Sequence, residues 1–501
     1  MNDQKNKNKL DFLKIEGLTP LSLGFVTGFY PFVFFLSNNF YAVNSVGHIA
    51  YFLAFFVGVP VLLFTLLVLA LSSIKKIAKY RKQILFVSII FITAFFLSFA
   101  ATLLIKKKIL LAVLVISILL SFKLFDRFKK LLILISIITL VPLFKLGYKV
   151  YDYYQKNTWI QPSDSIEEVV FKTKPNIYMI QPDGYVSRET MEDALYNYEN
   201  SFYDWLSKED FKIYKDFRSN YPASLNSNAS LFSMQHHYFG STLMPDFEMP
   251  YARECISGDN PVIRIFKNNG YHTSFVVEDE YFQQNKCDQL YDYTNISVDE
   301  IPYFSKGDNL QQDVLSDLKS AISLSVEKPR FFFVEKCVPH HVHFFAEGDR
   351  IKKERLEYLE KIEEVNIWLK QTINLITEKD PHALIIVLAD HGGWVGMNDY
   401  GEMFSTQKEA HIASIFSNIC AIKWNGLPYD EFDEGLTSNV NVFRTLFSVL
   451  SENKSYLNNL EKDESYNLNN EGYFKEVVKL INDDGTFTYQ KLKEAEKTST
   501  K

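Results

Sequence analysis

Apolar residues dominate the first third of this 501-residue chain, in runs long enough to cross a lipid bilayer. A membrane-spanning helix needs about 20 mostly apolar residues. The pattern predicts five such helices, at approximately 21–36, 48–71, 84–104, 109–122 and 131–146, of which the fourth is short. No small-residue cleavage site follows the first run, so a cleaved signal peptide is not expected. Residues 1–149 are therefore predicted to form a membrane anchor.

The lysines and arginines between these runs predict the orientation of the anchor. They are frequent in 5–14, 75–82 and 123–130, and absent from 38–47. Because cytoplasmic loops carry the excess of positive charge, the N-terminus is predicted to lie in the cytoplasm. Five crossings would then place the rest of the chain outside, whereas four would leave it inside. The triplet at 106–108 disagrees, since its lysines would face outward.

After a linker at 150–171, short apolar runs alternate with longer amphipathic ones. The short runs predict strands before Asp183 and Asp390 and at 211–217, 273–277, 331–335 and 420–424, and the longer runs predict helices at 354–377 and 440–450. This alternation is typical of an α/β sandwich with a largely parallel sheet. The sandwich is predicted over 172–450, followed by a polar extension at 451–501 whose last residues, from 494, are expected to be disordered.

Charge and cysteine content exclude some functions. The net charge of −7 averages two unlike halves, and the second half has no long basic run, so nucleic-acid binding is not expected. None of the four cysteines forms a C-x-x-C pair, which argues against a thiolate zinc site. A Cys255–Cys287 disulfide and free buried thiols both remain open.

Two predicted strands end in side chains that can bind a metal. Asp183 follows one strand, and Asp390 and His391 follow the apolar run 384–389. Because the carboxyl ends of parallel strands meet at one edge of a sheet, these three side chains could share one divalent cation, with Zn, Mn, Mg and Ca not distinguished. Taken alone, Asp390 would more readily be interpreted as a cap of the following helix.

A stretch rich in serine and asparagine, residues 220–234, lies between these two strands and runs into an apolar helical segment. Any one of its serines could simply cap the helix. A serine bound to a metal would instead be a nucleophile, because the cation lowers the cost of forming the alkoxide. The start of the helix would also favour a phosphate or sulfate group.

Three sequence blocks, taken in order, resemble the sulfatase-like branch of the alkaline phosphatase superfamily, which includes lipoteichoic acid synthases, phosphoethanolamine transferases and sulfatases. The blocks are 175–184 with Asp183, 331–340 with Pro339-His340, and 384–393 with Asp390-His391. The resemblance covers about 172–450 and implies a sulfatase-like catalytic domain. It implies that Asp183, Asp390 and His391 hold the metal and that His340 contacts the transferred group.

The same resemblance implies a nucleophile in the serine-rich stretch. Placing Ser224 at the family's nucleophile position puts Ser227 three residues later and Leu231 seven residues later, as in sulfatases. Ser224 would also be a metal ligand, and Ser227 is both a substrate-binding candidate and the alternative nucleophile. Transferases of the branch have threonine at the nucleophile position. The Pro or Ala and then Arg that formylglycine formation requires are absent after Ser224, which favours a plain hydroxyl nucleophile.

Histidines supply the remaining candidates. His340 could bind a phosphoryl oxygen or protonate a leaving group, and is interpreted as both catalytic and substrate-binding. Its neighbours His341 and His343 are expected at the surface or behind the site. His411 could contact substrate or be structural, and the sequence does not decide between them.

These features together predict a metal-dependent phosphotransferase of the cell envelope. It would move a phospho-substituent from a phospholipid donor, through a Ser224-linked intermediate, to a glycan or lipid acceptor. Two alternatives stay open: a sulfatase-like hydrolase of external phosphate or sulfate esters, and a non-catalytic envelope protein that keeps the fold.

Overall fold

The structure, a computed structural model, describes residues 14–155, 158–238, 248–342, 349–469 and 476–492. The chain divides into two compact units, Met1–Gln155 and Lys156–Lys501.

The first unit consists of helices with mostly apolar exposed faces. The helices are α1 (Pro20–Asn39), α2 (Val46–Leu53), α3 (Val59–Ser73), α4 (Lys75–Ala78), α5 (Arg81–Thr102), α6 (Lys107–Leu124) and α7 (Phe128–Gln155). A π-helical turn, Ala54–Gly58, makes α2 and α3 continuous, and a 3-10 turn, Phe125–Arg127, joins α6 to α7. Large aliphatic and aromatic side chains are exposed along these helices, as expected for surfaces that face lipid.

Four segments of this unit, not five, are separately long and apolar enough to cross a membrane: Pro20–Asn39, Val46–Ser73, Arg81–Thr102 and Lys107–Tyr154. The fourth and fifth predicted spans fall together in the last segment, because the charged residues between them are helical rather than forming a loop. A straight helix of these 48 residues would measure about 72 Å, far more than the bilayer core of about 30 Å.

Three polar contacts show that the direction of the chain reverses within this long segment. Lys82, at the start of α5, lies 2.6 Å from Asp126, so α6 returns along α5 to the end where α5 began. Arg81 lies 2.6 Å from Glu16, which precedes α1, so α1 begins at that same end. Lys145, in α7, donates a hydrogen bond of 2.8 Å to Asn38 at the opposite end of α1. Helices α6 and α7 therefore run in opposite directions through the bundle.

Glycines allow α1 to approach the continuous α2–α3 helix closely. A Cβ added to Gly28 would lie 2.0 Å from the carbonyl oxygen of Phe56, and one added to Gly24 would lie 2.4 Å from Cα of Val61. Small residues four positions apart commonly permit such packing in membranes.

Gly28→Ala is therefore expected to destabilise the helical unit by about 1–3 kcal/mol, because the added methyl group must push the helices apart. Thermal unfolding of the purified chain measures this effect. Gly58→Ala is the matched control, since its added Cβ would meet nothing within 4 Å. Equal losses in the two variants would contradict the explanation.

The second unit is built on a seven-stranded sheet. Its strands are β1 (Ile177–Pro182), β2 (Lys212–Ile213), β3 (His272–Val276), β4 (Tyr293–Thr294), β5 (Arg330–Lys336), β6 (Leu384–Leu388) and β7 (Cys420–Lys423), in the order β2-β7-β6-β1-β5-β3-β4. Strands β6, β1, β5, β3 and β4 pair in parallel. Strand β7 pairs antiparallel with both of its neighbours, β6 and β2. The predicted largely parallel sheet is confirmed, although only two residues of the predicted strand 211–217 form β2.

Helices cover both faces of this sheet, so its central strands are apolar throughout. The helices are α8 (Arg188–Glu192), α9 (Phe202–Lys208), α10 (Ser224–Ser233), α11 (Ala252–Ser257), α12 (Pro261–Asn268), α13 (Val314–Ile322), α14 (Arg350–Lys379), α15 (Tyr400–Ser405), α16 (Glu409–Phe416) and α17 (Val442–Ser451). Helices α10, α11, α12 and α17 share one core layer, and α9, α13, α14 and α16 share the other. The predicted α/β sandwich is confirmed. The four cysteines are free, so the Cys255–Cys287 disulfide is not formed.

The C-terminal extension contains a second sheet that the sequence analysis did not predict. Strands β8 (Ser465–Asn469), β9 (Glu476–Ile481) and β10 (Phe487–Lys491) are antiparallel, in the order β10-β9-β8. Tyr466, Leu468 and Val477 of this sheet form an apolar cluster with Tyr221, just before α10. The residues from 494 that were expected to be disordered lie outside the described residues.

Candidate active site

Adjacent parallel strands bring the two predicted metal-binding loops together. Strands β1 and β6 pair in register, from Ile177 opposite Leu384 to Ile180 opposite Val387. Both strands therefore end at the same edge of the sheet, where Asp183 and Asp390 follow them.

The four side chains predicted to form the centre lie together at this edge. One ligand atom each from Asp183, Asp390 and His391 lies within 4.8 Å of the others. His391 Nε2 is 3.4 Å from Asp183 Oδ1 and 3.4 Å from Asp390 Oδ2. Ser224, the first residue of α10, places its Oγ 3.2 Å from the same His391 nitrogen. We call these four residues the Asp-His-Ser centre.

The donor atoms of this centre fit a divalent cation. Asp183 Oδ1 and Asp390 Oδ2 are buried and have no hydrogen-bond partner among the described residues, a costly arrangement unless a cation compensates it. His391 Nδ1 lies 2.8 Å from the carbonyl oxygen of Gly392, to which it can donate, which leaves the Nε2 lone pair for a metal. Two carboxylates, an imidazole and a hydroxyl are a suitable ligand set for such an ion.

The electrostatics of Asp183 and Asp390 also favour a divalent cation. Burial, together with the negative charge of Asp390, raises the pKa of Asp183 to about 7, while His391 opposes the rise. Two carboxylates this close repel each other when both are ionised. A divalent cation would remove that repulsion and displace the proton that the pair otherwise retains near neutral pH.

Ser227 contacts the backbone of the Asp-His-Ser centre. It is fully buried, and its hydroxyl donates to the carbonyl oxygen of Asp390 at 2.6 Å. Asn439 donates to the same oxygen at 3.1 Å and to the carbonyl oxygen of Ala389 at 3.2 Å. The structure therefore places this hydroxyl against the backbone of Asp390, and the roles of Ser227 as a substrate contact or alternative nucleophile stay predictions.

Asn439→Ala is expected to weaken divalent-metal binding about 10–100-fold, since it leaves the carbonyl oxygens that orient Asp390 without this donor. Calorimetric titration of the metal measures the change. Asn441→Ala is the control, because Asn441 is a buried amide on the same turn whose donors bind Glu461 and Asp463. An unchanged metal affinity in Asn439→Ala would refute the orienting role.

His340 is next to the centre, as predicted. Its backbone N–H donates to the carbonyl oxygen of Asp183 at 2.8 Å, and its Nδ1 lies 3.8 Å from Asp183 Oδ2. Nδ1 also accepts a hydrogen bond from the backbone N–H of His341, which places the proton of a neutral ring on Nε2. Burial and the neighbouring His391 lower the pKa of His340 to about 4. The ring is therefore suited to donate a hydrogen bond from Nε2 as a neutral group.

The remaining histidines that the sequence analysis considered are His411 and His343. His411, buried on α16, contacts Thr406 at 3.3 Å and Glu402 at 3.4 Å, and neither partner belongs to the Asp-His-Ser centre. The structure thus does not bring His411 into the centre, because its ring turns toward α15 and the residue after it. His343 lies outside the described residues.

Sequence reasoning missed Trp394 and undervalued His341. The rings of these two residues are stacked, with centroids 3.9 Å apart, and the Trp394 ring lies 5.5 Å from that of His391. The indole N–H donates to the carbonyl oxygen of Pro222, two residues before the nucleophile candidate. His341 was expected at the surface or behind the site, but its ring lies 6.2 Å from that of the metal-ligand candidate His391. In the sequence, only the position of Trp394 directly after Gly392-Gly393 could have indicated that its ring lies near His391.

Comparisons with known proteins give one family and several distant structures. A family model described as Sulfatase matches residues 186–451, just over half of the chain. No curated protein matches the chain.

The similar solved structures have low sequence identity. The lipooligosaccharide phosphoethanolamine transferase A (EptA) from Neisseria meningitidis has a TM-score of 0.42 and 13% identity, with 86% of this chain and 95% of that chain covered. The C-terminal periplasmic domain of EcEptC from Escherichia coli has a TM-score of 0.43 and 10% identity, with 61% and 95% covered. The corresponding domain of phosphoethanolamine transferase EptC from Campylobacter jejuni has a TM-score of 0.37 and 17% identity, with 55% and 89% covered.

Proposed function

The chain belongs to the sulfatase family, and we propose that it is a membrane-anchored, metal-dependent phosphotransferase of the cell envelope. Its chemistry is that of a sulfatase-like hydrolase or transferase. The observation that carries the proposal is the position of Ser224, whose hydroxyl lies 3.2 Å from His391 Nε2 in the Asp-His-Ser centre. This is the geometry that a serine nucleophile needs beside a metal.

One divalent ion would be held by Asp183, Asp390, His391 and Ser224. When bound, it would favour the ionised Ser224 hydroxyl and offset negative charge on the oxygens of the reacting group. The two unpartnered carboxylate oxygens support this set of ligands.

The proposed reaction has two displacements at phosphorus. In the first, Ser224 Oγ loses its proton and forms a bond to the phosphorus of a phospholipid, while the bond from phosphorus to the lipid alcohol breaks and that oxygen gains a proton. In the second, the hydroxyl of a glycan or lipid acceptor loses its proton and takes the phospho-substituent, and Ser224 Oγ is protonated again. His340, with its proton on Nε2, is placed to hydrogen-bond the leaving or entering oxygen.

Two features favour this reaction over cleavage by a formylglycine sulfatase. The four residues after Ser224, Leu225–Asn228, include none of the Pro, Ala or Arg that formylglycine formation requires, which favours the hydroxyl itself as the nucleophile. The apolar helices would keep the catalytic unit at the surface that carries a lipid donor, which lowers the entropic cost of their encounter.

The function is tested with the full chain in lipid nanodiscs that contain labelled phospholipids. Metal-dependent release of diacylglycerol, with the label appearing on an added glycan or lipid acceptor, is the expected result. Label released only as a water-soluble headgroup phosphate would favour the hydrolase. Absence of release with every metal tested would refute both reactions.

We also propose that the catalytic unit faces outward. The reversal of direction between α6 and α7 supports an odd number of passages, and the lysines of the N-terminal tail favour a cytoplasmic start. A reporter enzyme fused after residue 149 that folds only outside the cytoplasm should be active. Activity of a reporter that requires the cytoplasm would contradict this orientation.

A further inference from the structure

A cavity of about 350 Å³ lies directly beside the nucleophile candidate. Its walls include Pro222, Ala223, Trp394, Met403, Leu468 and Val477. Ala223 immediately precedes Ser224 in the chain. The cavity is thus lined by the loop that carries the nucleophile, by the loop that carries His391, and by the C-terminal sheet. We call it the apolar subsite.

Trp394 connects the apolar subsite to the catalytic centre. Its indole ring is nearly parallel to that of His341, and its centroid is 5.5 Å from the ring of the metal-ligand candidate His391. The hydrogen bond from the indole N–H to the carbonyl oxygen of Pro222 fixes the plane of this ring. A group attached to an atom reacting at Ser224 therefore has an apolar wall within reach.

The lining is chemically unsuited to a charged group. None of the described residues that line the cavity carries a formal charge. The side chain of Asn467 uses its amide internally, donating to the carbonyl oxygen of Met403 and accepting from the backbone N–H of Leu468. The hydroxyl of Tyr466 donates to Glu464, and that of Tyr221 accepts from the backbone N–H of His237. Apart from the amide of Asn226 and the hydroxyl of Tyr400, the described lining therefore offers chiefly aromatic and aliphatic surface.

We infer that the apolar subsite binds the alkyl or aryl part of a substrate ester, next to the oxygen bonded to the reacting phosphorus. The inference rests on the proposed function, and adds that the substrate is selected by an apolar body close to phosphorus. A volume of about 350 Å³ is at the small end of ligand cavities, which suits a short apolar segment and not a whole lipid. The C-terminal sheet thereby acquires a role in specificity through Leu468 and Val477.

The test uses alkyl 4-nitrophenyl phosphodiesters with methyl, butyl and hexyl chains, at concentrations below micelle formation, and the full chain in nanodiscs with a divalent metal. Each methylene that enters the subsite should raise kcat/KM for release of 4-nitrophenol by about three- to fourfold. The hexyl-to-methyl ratio should therefore reach at least about 30-fold. Leu468→Glu should reduce this ratio to near one, since it places a carboxylate in the subsite, and Leu468→Phe should reduce it partly by filling the space.

Gln490→Glu is the matched control, because it adds the same charge at an exposed position of β10 in the same small sheet. It should keep the wild-type ratio. A ratio that does not rise with chain length in the wild type, or that falls equally in Leu468→Glu and Gln490→Glu, would overturn the inference. The dependence of the rate on chain length could also arise because the alkyl chains enter the nanodisc bilayer. In that case Leu468→Glu would leave the dependence intact, and this result would also overturn the inference.

A binding measurement separates failure of this inference from failure of the proposed function. If no ester is turned over, the proposed function falls, and the subsite is judged by thermal unfolding with hexyl phosphate and with methyl phosphate. A greater increase in Tm with hexyl phosphate in the wild type, absent in Leu468→Glu, supports the subsite. Equal increases with both compounds refute it.

Discussion

Ser224→Ala is expected to lower the metal-dependent release of diacylglycerol from a phospholipid by at least about 10³-fold, as loss of a nucleophile does in other covalent mechanisms. The physical reason is that, among the described residues, the Ser224 hydroxyl is the one in hydrogen-bond contact with His391 Nε2. Thermal stability should change little, because this hydroxyl is only half-buried and caps no helix. The rate of diacylglycerol release in nanodiscs measures the effect.

Two serines of the same helix control this experiment. Ser230→Ala removes a hydroxyl that donates to the carbonyl oxygen of Ser227, and should leave the rate near that of the wild type. Ser227→Ala should mainly lower the free energy of unfolding, by about 1 kcal/mol, through loss of the bond to the Asp390 carbonyl oxygen. Should Ser227→Ala abolish release while Ser224→Ala preserves it, the nucleophile assignment would be wrong.

Asp183→Asn is expected to have opposite effects on stability with and without metal. Without metal at pH 8, above the pKa of about 7, the carboxylate of Asp183 is ionised and buried beside Asp390, which destabilises the wild type. The neutral amide of Asp183→Asn removes this destabilisation, of about 1–2 kcal/mol. A carboxyl group with a raised pKa lowers the stability of the fold only as the pH rises toward and above that pKa. The stability that Asp183→Asn gains at pH 8 should therefore vanish near pH 4. With metal, the wild type gains about 2.7 kcal/mol when the metal is at 100 times its Kd, and the variant should gain almost nothing.

Thermal unfolding at the two pH values, with and without divalent metal, measures these four states. Asp433→Asn is the contrasting control, because Asp433 is a buried carboxylate that binds Lys212 at 2.7 Å. Its removal should lower stability in every condition and leave the metal-induced gain intact. If Asp183→Asn keeps the full gain with metal, Asp183 is not a ligand.

The edge of the sheet that carries the candidate metal ligands could be predicted from the sequence, because both strands that end there have a strong local pattern. The apolar run 384–388 predicts a buried strand, and Asp390 and His391 follow it directly. That β1 and β6 are neighbours is a tertiary fact with no local signal. The parallel-sheet argument only allowed the three side chains to share one edge, and the resemblance to a known family implied that they hold one metal and placed Ser224.

Other features carried a weaker signal in the sequence. The roles of Ser227 and His411 depend on which face of a short helix meets the core, and in α10 all residues after the first are buried, so periodicity does not separate them. The C-terminal sheet was missed because strands such as Glu476–Ile481 mix charged and apolar residues beside a polar segment. The charged residues between the fourth and fifth predicted spans were expected to form a loop, but they form a helical turn at which the chain reverses.

The most direct test of the central claim is detection of the covalent intermediate. The full chain in nanodiscs is incubated with metal and a phospholipid that carries a labelled headgroup, quenched in acid, digested and examined by mass spectrometry. The account predicts a peptide in which Ser224 carries the phosphorylated headgroup, present with metal and absent after chelation. Transfer of label to acceptor or water while Ser224 stays unmodified, or an adduct on Ser227 instead, would contradict it.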